Sequence, residues 1–230
     1  MKISGMLCLI LLIGVFVNNI AAVDYCKIKW CKQFNKGVHT MCKYKSSAPA
    51  KACKSWSNPD LSDAEKNLIL RKHNELRQKV ASGQETRGNP GPQPAAVQMP
   101  NLTWDNELAR IAQRWANQCV YAHDECRDVE QYQVGQNVAY TTRKGNPGLE
   151  QMIDLWYDEV ALFDKNQVSS FVFSKGTGHY TQMVWAETTK LGCGCISYKP
   201  TKTDMKRQHL VCNYGPAGNF LTQRIYEARQ

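Results

Sequence analysis

The stretch Gly178-His179-Tyr180-Thr181-Gln182-Met183-Val184-Trp185 sets one imidazole beside a glycine at the head of an aromatic and apolar run. Two further ionisable residues fall on apolar faces. Ile69, His73, Leu76 and Val80 are spaced 4, 3 and 4, which puts His73 on the buried stripe of a helix. Met152, Trp156, Glu159 and Phe163 repeat at the same spacing and put Glu159 on another. A carboxylate among large apolar groups must find a partner or titrate upward. Two imidazoles and a carboxylate are a sufficient ligand set for zinc with an open position. His73, Glu159 and His179 are therefore expected to point into one pocket. Singly, each has a plainer reading: His73 as a core histidine holding one hydrogen bond, Glu159 as the edge of an apolar stripe. Their separations of 86 and 20 residues carry no local signature.

Other chemistry is missing from the sequence. His123-Asp124-Glu125 lacks the second histidine of a His-Glu-x-x-His zinc site. No Gly-x-Ser-x-Gly elbow and no phosphate-cradling glycine loop with lysine occurs. A cysteine–histidine pair through Cys195 is conceivable, but a spare cysteine in a bridged domain is more often incidental than catalytic.

The elements that position these residues have clear boundaries. Ser62-Asp63-Ala64-Glu65 is a capping box that opens the His73 helix, and Gly83 is its stop. The loop 84–100 is broken by Pro90, Pro92 and Pro94. Asp105 caps a second helix, with Leu108, Ile111, Ala112, Trp115 and Cys119 on its apolar face. Residues 134–140 read as a strand. Asn146 is expected to cap the Glu159 helix, with Pro147 at its first position. Residues 192–198 and 209–214 read as two strands. Cys193 and Cys195 share a strand face, so either could reach Cys212.

Composition places the chain outside the cell. Residues 1–22 combine Lys2, an apolar run too short for a bilayer and a small-residue end, which is a secretory signal peptide. Of ten cysteines, Cys8 falls in that segment and nine remain, an odd disulfide framework. Asn101-Leu102-Thr103 is a glycosylation sequon. Residues 25–56 hold eight lysines and no acidic residue, whereas 57–230 hold 20 Lys+Arg and 19 Asp+Glu. The excess charge therefore belongs to the N-terminal cysteine-rich segment, which is too poor in apolar residues to fold without bridges. That segment is either a solvated surface or a docking face for an anionic membrane, a glycan or a channel vestibule. A secreted chain excludes nucleic acid as a partner.

Two long stretches now become recognisable. Residues 178–185 and Leu210-Val211-Cys212-Asn213-Tyr214-Gly215-Pro216-Ala217-Gly218-Asn219-Phe220 resemble the signature motifs of the CAP superfamily of cysteine-rich secretory, antigen 5 and pathogenesis-related proteins. His73-Asn74-Glu75-Leu76-Arg77 resembles its first-helix motif. Residues 84–94, 115–119 and 132–137 resemble the antigen 5 branch of stinging Hymenoptera, ant venom allergens above all. The resemblance implies an α+β fold, a three-layer α-β-α sandwich over residues 59–230, preceded by a basic extension over 23–58. It implies the bridges Cys26–Cys42, Cys31–Cys126, Cys53–Cys119 and Cys193–Cys212, with Cys195 left over. It implies a cavity lined by His73, His179, Glu159 and, where many members carry a second glutamate, Gln136. An amide is a poor zinc ligand and no general base. The resemblance thus implies a secreted, non-enzymatic venom protein. It would be an allergen met by host antibodies and would bind a lipid, a sterol or another extracellular ligand. No cofactor is required, and at most a weak divalent metal would sit at His73, His179 and Glu159. The chain is expected to be a monomer unless Cys195 pairs between chains. A metal-assisted hydrolase using the same three residues, and a channel or receptor ligand acting through the basic segment, are the alternatives.

Overall fold

The computed structural model describes residues 23–200 and 205–229; the expected signal peptide lies outside the described residues. In chain order the helices are α1 (Lys29–Gln33), α2 (Thr40–Lys43), α3 (Asp63–Ala81), α4 (Asn106–Ala116), α5 (Gly145–Tyr157) and α6 (Gly178–Met183). The strands are β1 (Lys54–Ser57), β2 (Thr103–Trp104), β3 (Gly135–Thr141), β4 (Lys190–Lys199) and β5 (Arg207–Gly215).

Local chemistry sets several boundaries as the sequence predicts. Ser62 and Glu65 form the reciprocal capping box of α3, and Gly83 follows its end in the left-handed region. Asp105 accepts from the amides of Glu107 and Leu108 and so opens α4. The third long helix departs from expectation. It starts at Gly145 with Lys144 as an uncapped N-cap, and it stops at Tyr157. Glu159 therefore lies not on this α-helix but in the tighter 3-10 turn Asp158–Leu162 that continues it.

The sheet runs β1-β4-β5-β3, all antiparallel neighbours, with β2 pairing parallel to β4. Both faces are covered, so successive strand residues feed different cores. Ile196, Tyr198, Val211 and Val138 pack with Ala112, Trp115 and Ala116 of α4. Leu191, Cys193, Leu210, Cys212 and Tyr214 pack on the other side with α3, α5 and α6. The result is the expected α-β-α sandwich. α4 lies so close to β4 that a Cβ on Gly192 or Gly194 would collide with helix backbone at Ala109 and Gln113. The Gln113 side chain completes the contact: it accepts from Cys195 N at 2.8 Å and donates to Cys195 O at 2.9 Å.

Four disulfides join Cys26–Cys42, Cys31–Cys126, Cys53–Cys119 and Cys193–Cys212, each a contribution of roughly 2–4 kcal/mol. Strand register decides between the two candidates for Cys212. Cys193 stands directly opposite it, while Cys195 stands opposite Leu210. Cys195 is left as a free thiol, buried, with burial pushing its pKa up to about 12. A thiol so enclosed is poorly placed to meet a second chain, and its raised pKa keeps it protonated at neutral pH.

The basic segment is built into this body. β1 forms one edge of the sheet, and two bridges tie the segment to the loop 117–134. Two of its lysines pair with acids of that loop, Lys36 with Asp128 and Lys43 with Glu125, and Lys27 pairs with Asp24 at the exposed surface.

His73 and His209 are both fully buried, and desolvation holds each ring at about 4, against about 6.5 in an unfolded chain. The neutral rings stabilise the fold fully above about pH 6.5, and that stability is lost as pH falls from there through about 4. His209 sits edge-on to Tyr121 and Tyr198, and neither ring nitrogen has a hydrogen-bond partner among the described residues. His209→Phe should therefore leave the melting temperature at pH 7 unchanged or higher and flatten its decline between pH 6.5 and 4, as thermal denaturation across that range would show.

Candidate functional site

The site forms at the free edge of the sheet, where β3 begins. Gln136 and Asn137 are consecutive strand residues and point to opposite faces. Gln136 reaches toward the α4 layer. Its Nε2 donates to Asp124 Oδ1 and Asn213 Oδ1, both at 3.1 Å, and its Oε1 accepts from His123 Nδ1 at 2.9 Å. Asn137 reaches toward the α5–α6 layer and donates to the carbonyl of His179 at 3.1 Å and to Tyr214 Oη at 3.2 Å. One strand thus fastens both walls of a cleft of about 200 Å³ lined by His123, Gln136, Glu159 and His179.

The second wall is set by Glu159. Its carboxylate accepts from His179 Nδ1 at 2.7 Å, from His179 N at 2.7 Å and from Tyr180 N at 3.2 Å. The anion holds the first turn of α6 and the ring it carries with one group. This contact fixes the proton on Nδ1 and leaves Nε2 as the acceptor nitrogen of the neutral ring. The Gln136 bond does the same for His123. Desolvation, reinforced by Arg127, keeps the His123 pKa below its ordinary value, so its ring is neutral at pH 7. Both imidazoles are therefore held through Nδ1 from behind, and Nε2 is the nitrogen each leaves without a partner among the described residues.

The sequence prediction placed His73 here, and the structure does not. His73 Nδ1 meets the carbonyl of Ile69 at 2.8 Å and Nε2 meets Tyr214 Oη at 2.9 Å. Both nitrogens are occupied, and the ring is 0 % exposed. Trp156 stands between, its ring centroid 6.3 Å from each of the His73 and His179 rings. The helical stripe carried His73 into the core, not into a pocket. Glu159, Gln136 and His179 do meet, and the second histidine is His123. A signal for it existed: His123 falls between the half-cystines Cys119 and Cys126, which bind its loop to the N-terminal segment. Thr40 and His39 brace that loop further, through Asp124 and the carbonyl of Asp128.

A model of the cysteine-rich secretory protein family matches residues 70–214, more than half of the chain. The chain belongs to the cysteine-rich secretory protein (CAP) family. It is 53 % identical to the venom allergen 3 homolog of Dinoponera quadriceps over 226 residues, 96 % of each chain. It is 52 % identical to venom allergen 3 of Solenopsis invicta over 230 residues, 96 % of this chain and 97 % of that one. Among solved structures it is similar to NaASP2 crystallised with Zn2+, at 32 % identity and a TM-score of 0.63 over 80 % of this chain and 91 % of that one. Within the CAP family the chain thus stands with the secreted venom allergens of ants and wasps, the antigen 5 branch.

For this CAP chain the glutamine at position 136 has a local cause. Its amide faces two acceptor oxygens, Asp124 Oδ1 and Asn213 Oδ1, and a carboxylate in its place would face them without a proton to give. Glu159→Gln removes the anion that gathers three N–H donors. The expected outcome is a loss of about 1–3 kcal/mol in chemical denaturation, together with a His179 ring no longer held as the Nδ1–H tautomer in nitrogen NMR.

Proposed function

We propose that this venom allergen acts by binding and not by turnover, and that its edge cleft is a ligand site presented by His123 and His179. One observation carries the reading: the carboxylate of the cleft is taken up by three N–H donors and no side-chain nucleophile lines the space. Glu159 holds three donors, the Gln136 oxygen holds His123, and no hydroxyl or thiol lines the space. Covalent hydrolysis needs a side-chain nucleophile, which this cleft lacks. Two imidazoles, each backed at Nδ1 by a hydrogen-bonded acceptor and with Nε2 unengaged, instead suit a divalent transition metal held with open positions. His123 and His179 would hold it, and a bound metal would supply Lewis acidity. The likeness to a relative crystallised with Zn2+ supports this reading. With two nitrogens and no free carboxylate, affinity should be modest. Zinc titration by calorimetry should show saturable binding that falls about tenfold or more in His123→Ala and His179→Ala. The folded His73→Asn variant should bind as the parent does. No saturable heat, or loss only in the His73 variant, overturns the site.

The rim favours a second ligand class. Phe173, 63 % exposed, lines the cleft, and exposed Leu162 lies against its lining residue Gly176. At about 200 Å³ the cleft is smaller than a site that would enclose a whole sterol or fatty acid. An amphiphile would place its polar head in the cleft and its body over these side chains. Phe173→Ser should then weaken displacement of a fluorescent fatty acid several-fold, and an unchanged titration counts against lipid binding. Exposed Asn101, whose oxygen accepts from Gln78, is the proposed glycan acceptor. Host antibodies are the partners implied by the allergen relatives.

A further inference from the structure

A second concavity, of about 440 Å³, runs along the flank of α4 that borders β4, with Ala109, Gln113 and Cys193 in its lining. α4 lines it with Asn106, Arg110 and Arg114; Asp60 and Lys66, around the start of α3, line it from another element; Ser47 belongs to the basic segment. Lys66, Arg110 and Arg114 face one lining carboxylate, Asp60. The two arginines are four residues apart and share a helix face, about 6 Å from each other. Their contacts are neutral. Arg110 touches Tyr25 Oη at 3.4 Å, and Arg114 donates to the carbonyl of Tyr44. Among the described residues no carboxylate lies within 4.0 Å of either guanidinium. Glu107, one turn before Arg110, is held by Tyr25 Oη at 2.8 Å. Lys66 pairs at 3.0 Å with Asp63, whose side chain is 92 % exposed, a contact too solvated to neutralise it. The lysines that remain unpaired in the basic segment extend this field. Lys45 and Lys51 are exposed on either side of Ser47 in the chain, and the Ser47 carbonyl accepts from Asn117 at the end of α4.

We propose that this groove is a binding site for a sulfated oligosaccharide, gripped by Arg110 and Arg114 on α4 and by Lys66 beside it. Guanidinium forks match the paired oxygens of a sulfate ester. A concave channel with cations from two elements encloses a chain that carries anionic groups at short intervals. A flat bilayer could not reach its floor. The Asn106 side chain has no partner among the described residues and is exposed, free to meet a sugar hydroxyl. The site is separate from the histidine cleft and stands whether or not that cleft binds metal.

The test is calorimetric titration of the whole protein with a size-defined heparin hexasaccharide at low and physiological salt. Saturable binding that weakens with salt is expected. Arg110→Ala/Arg114→Ala should weaken it about tenfold or more. Lys66→Glu should do the same without touching the Arg114 contact to the basic segment, and so keeps the test open if the double variant unfolds. Lys29→Ala/Lys32→Ala removes the same charge elsewhere on the basic segment and should change affinity by less than about twofold. Absence of saturable binding, parental affinity in the groove variants, or equal loss in the lysine control overturns the proposal. Groove-dependent sedimentation with phosphatidylserine vesicles, with no groove-dependent binding of the hexasaccharide, overturns it in favour of a lipid headgroup.

Discussion

Arg77 is the constraint from which the rest of the sandwich follows. Its side chain is 0 % exposed, yet all five of its N–H bonds have acceptors, in four backbone carbonyls. Nη1 donates to Met183 and Trp185, both at 2.8 Å; Nε and Nη2 meet Pro100 at 3.2 and 2.8 Å; Nη2 also meets Thr188 at 3.3 Å. Burial pulls its pKa down to about 10, and it remains charged at neutral pH. A buried cation without a carboxylate is tolerable only when dipoles replace water. Here the carbonyl at the end of α6 is one of those dipoles. Arg77 therefore fixes one end of α6 and Glu159 fixes the other, with His179 held between them.

The same economy of contacts explains why the cleft lies where it does. A sheet covered on both faces has two separate cores, and only its edge touches both layers. At the start of β3, alternation sends Gln136 to one layer and Asn137 to the other. His123 and His179 arrive from opposite sides of the sheet and meet around that edge. Neither imidazole is placed by its own element alone: each is oriented by an acceptor behind it, Gln136 or Glu159. Tyr214 links the cleft to the core, since its hydroxyl meets both Asn137 and His73.

The basic segment takes a structural part that its composition hides. Cys31, His39 and Thr40 hold the loop 123–128, and with it His123. Lys36 and Lys43 are paired with acids of that same loop. Two of the eight lysines behind the charge asymmetry are thus internal bracing. Cations without acidic partners lie elsewhere, among them Arg110 and Arg114 on α4 and the lysines that flank Ser47.

By itself the sequence determined the elements whose causes are local. The Ser62–Glu65 box and the Asp105 cap open α3 and α4, and the glycine-rich and alternating runs form β4 and β5. The two signature stretches carried the family, and with it the layer order and the bridges. Tertiary structure decided what periodicity cannot express. A helical stripe says that His73 is turned inward, but not whether a core or a pocket lies across from it. Only packing against Tyr214 and Trp156 shows that it is core. Two cysteines on one strand face were equivalent until register set Cys193 against Cys212. Gln136 read as a missing acid; the acceptor oxygens of Asp124 and Asn213, distant in sequence, make an amide the group that fits. His123 had no apolar stripe to announce it, because disulfides and a strand edge, not helical spacing, carry it to the site.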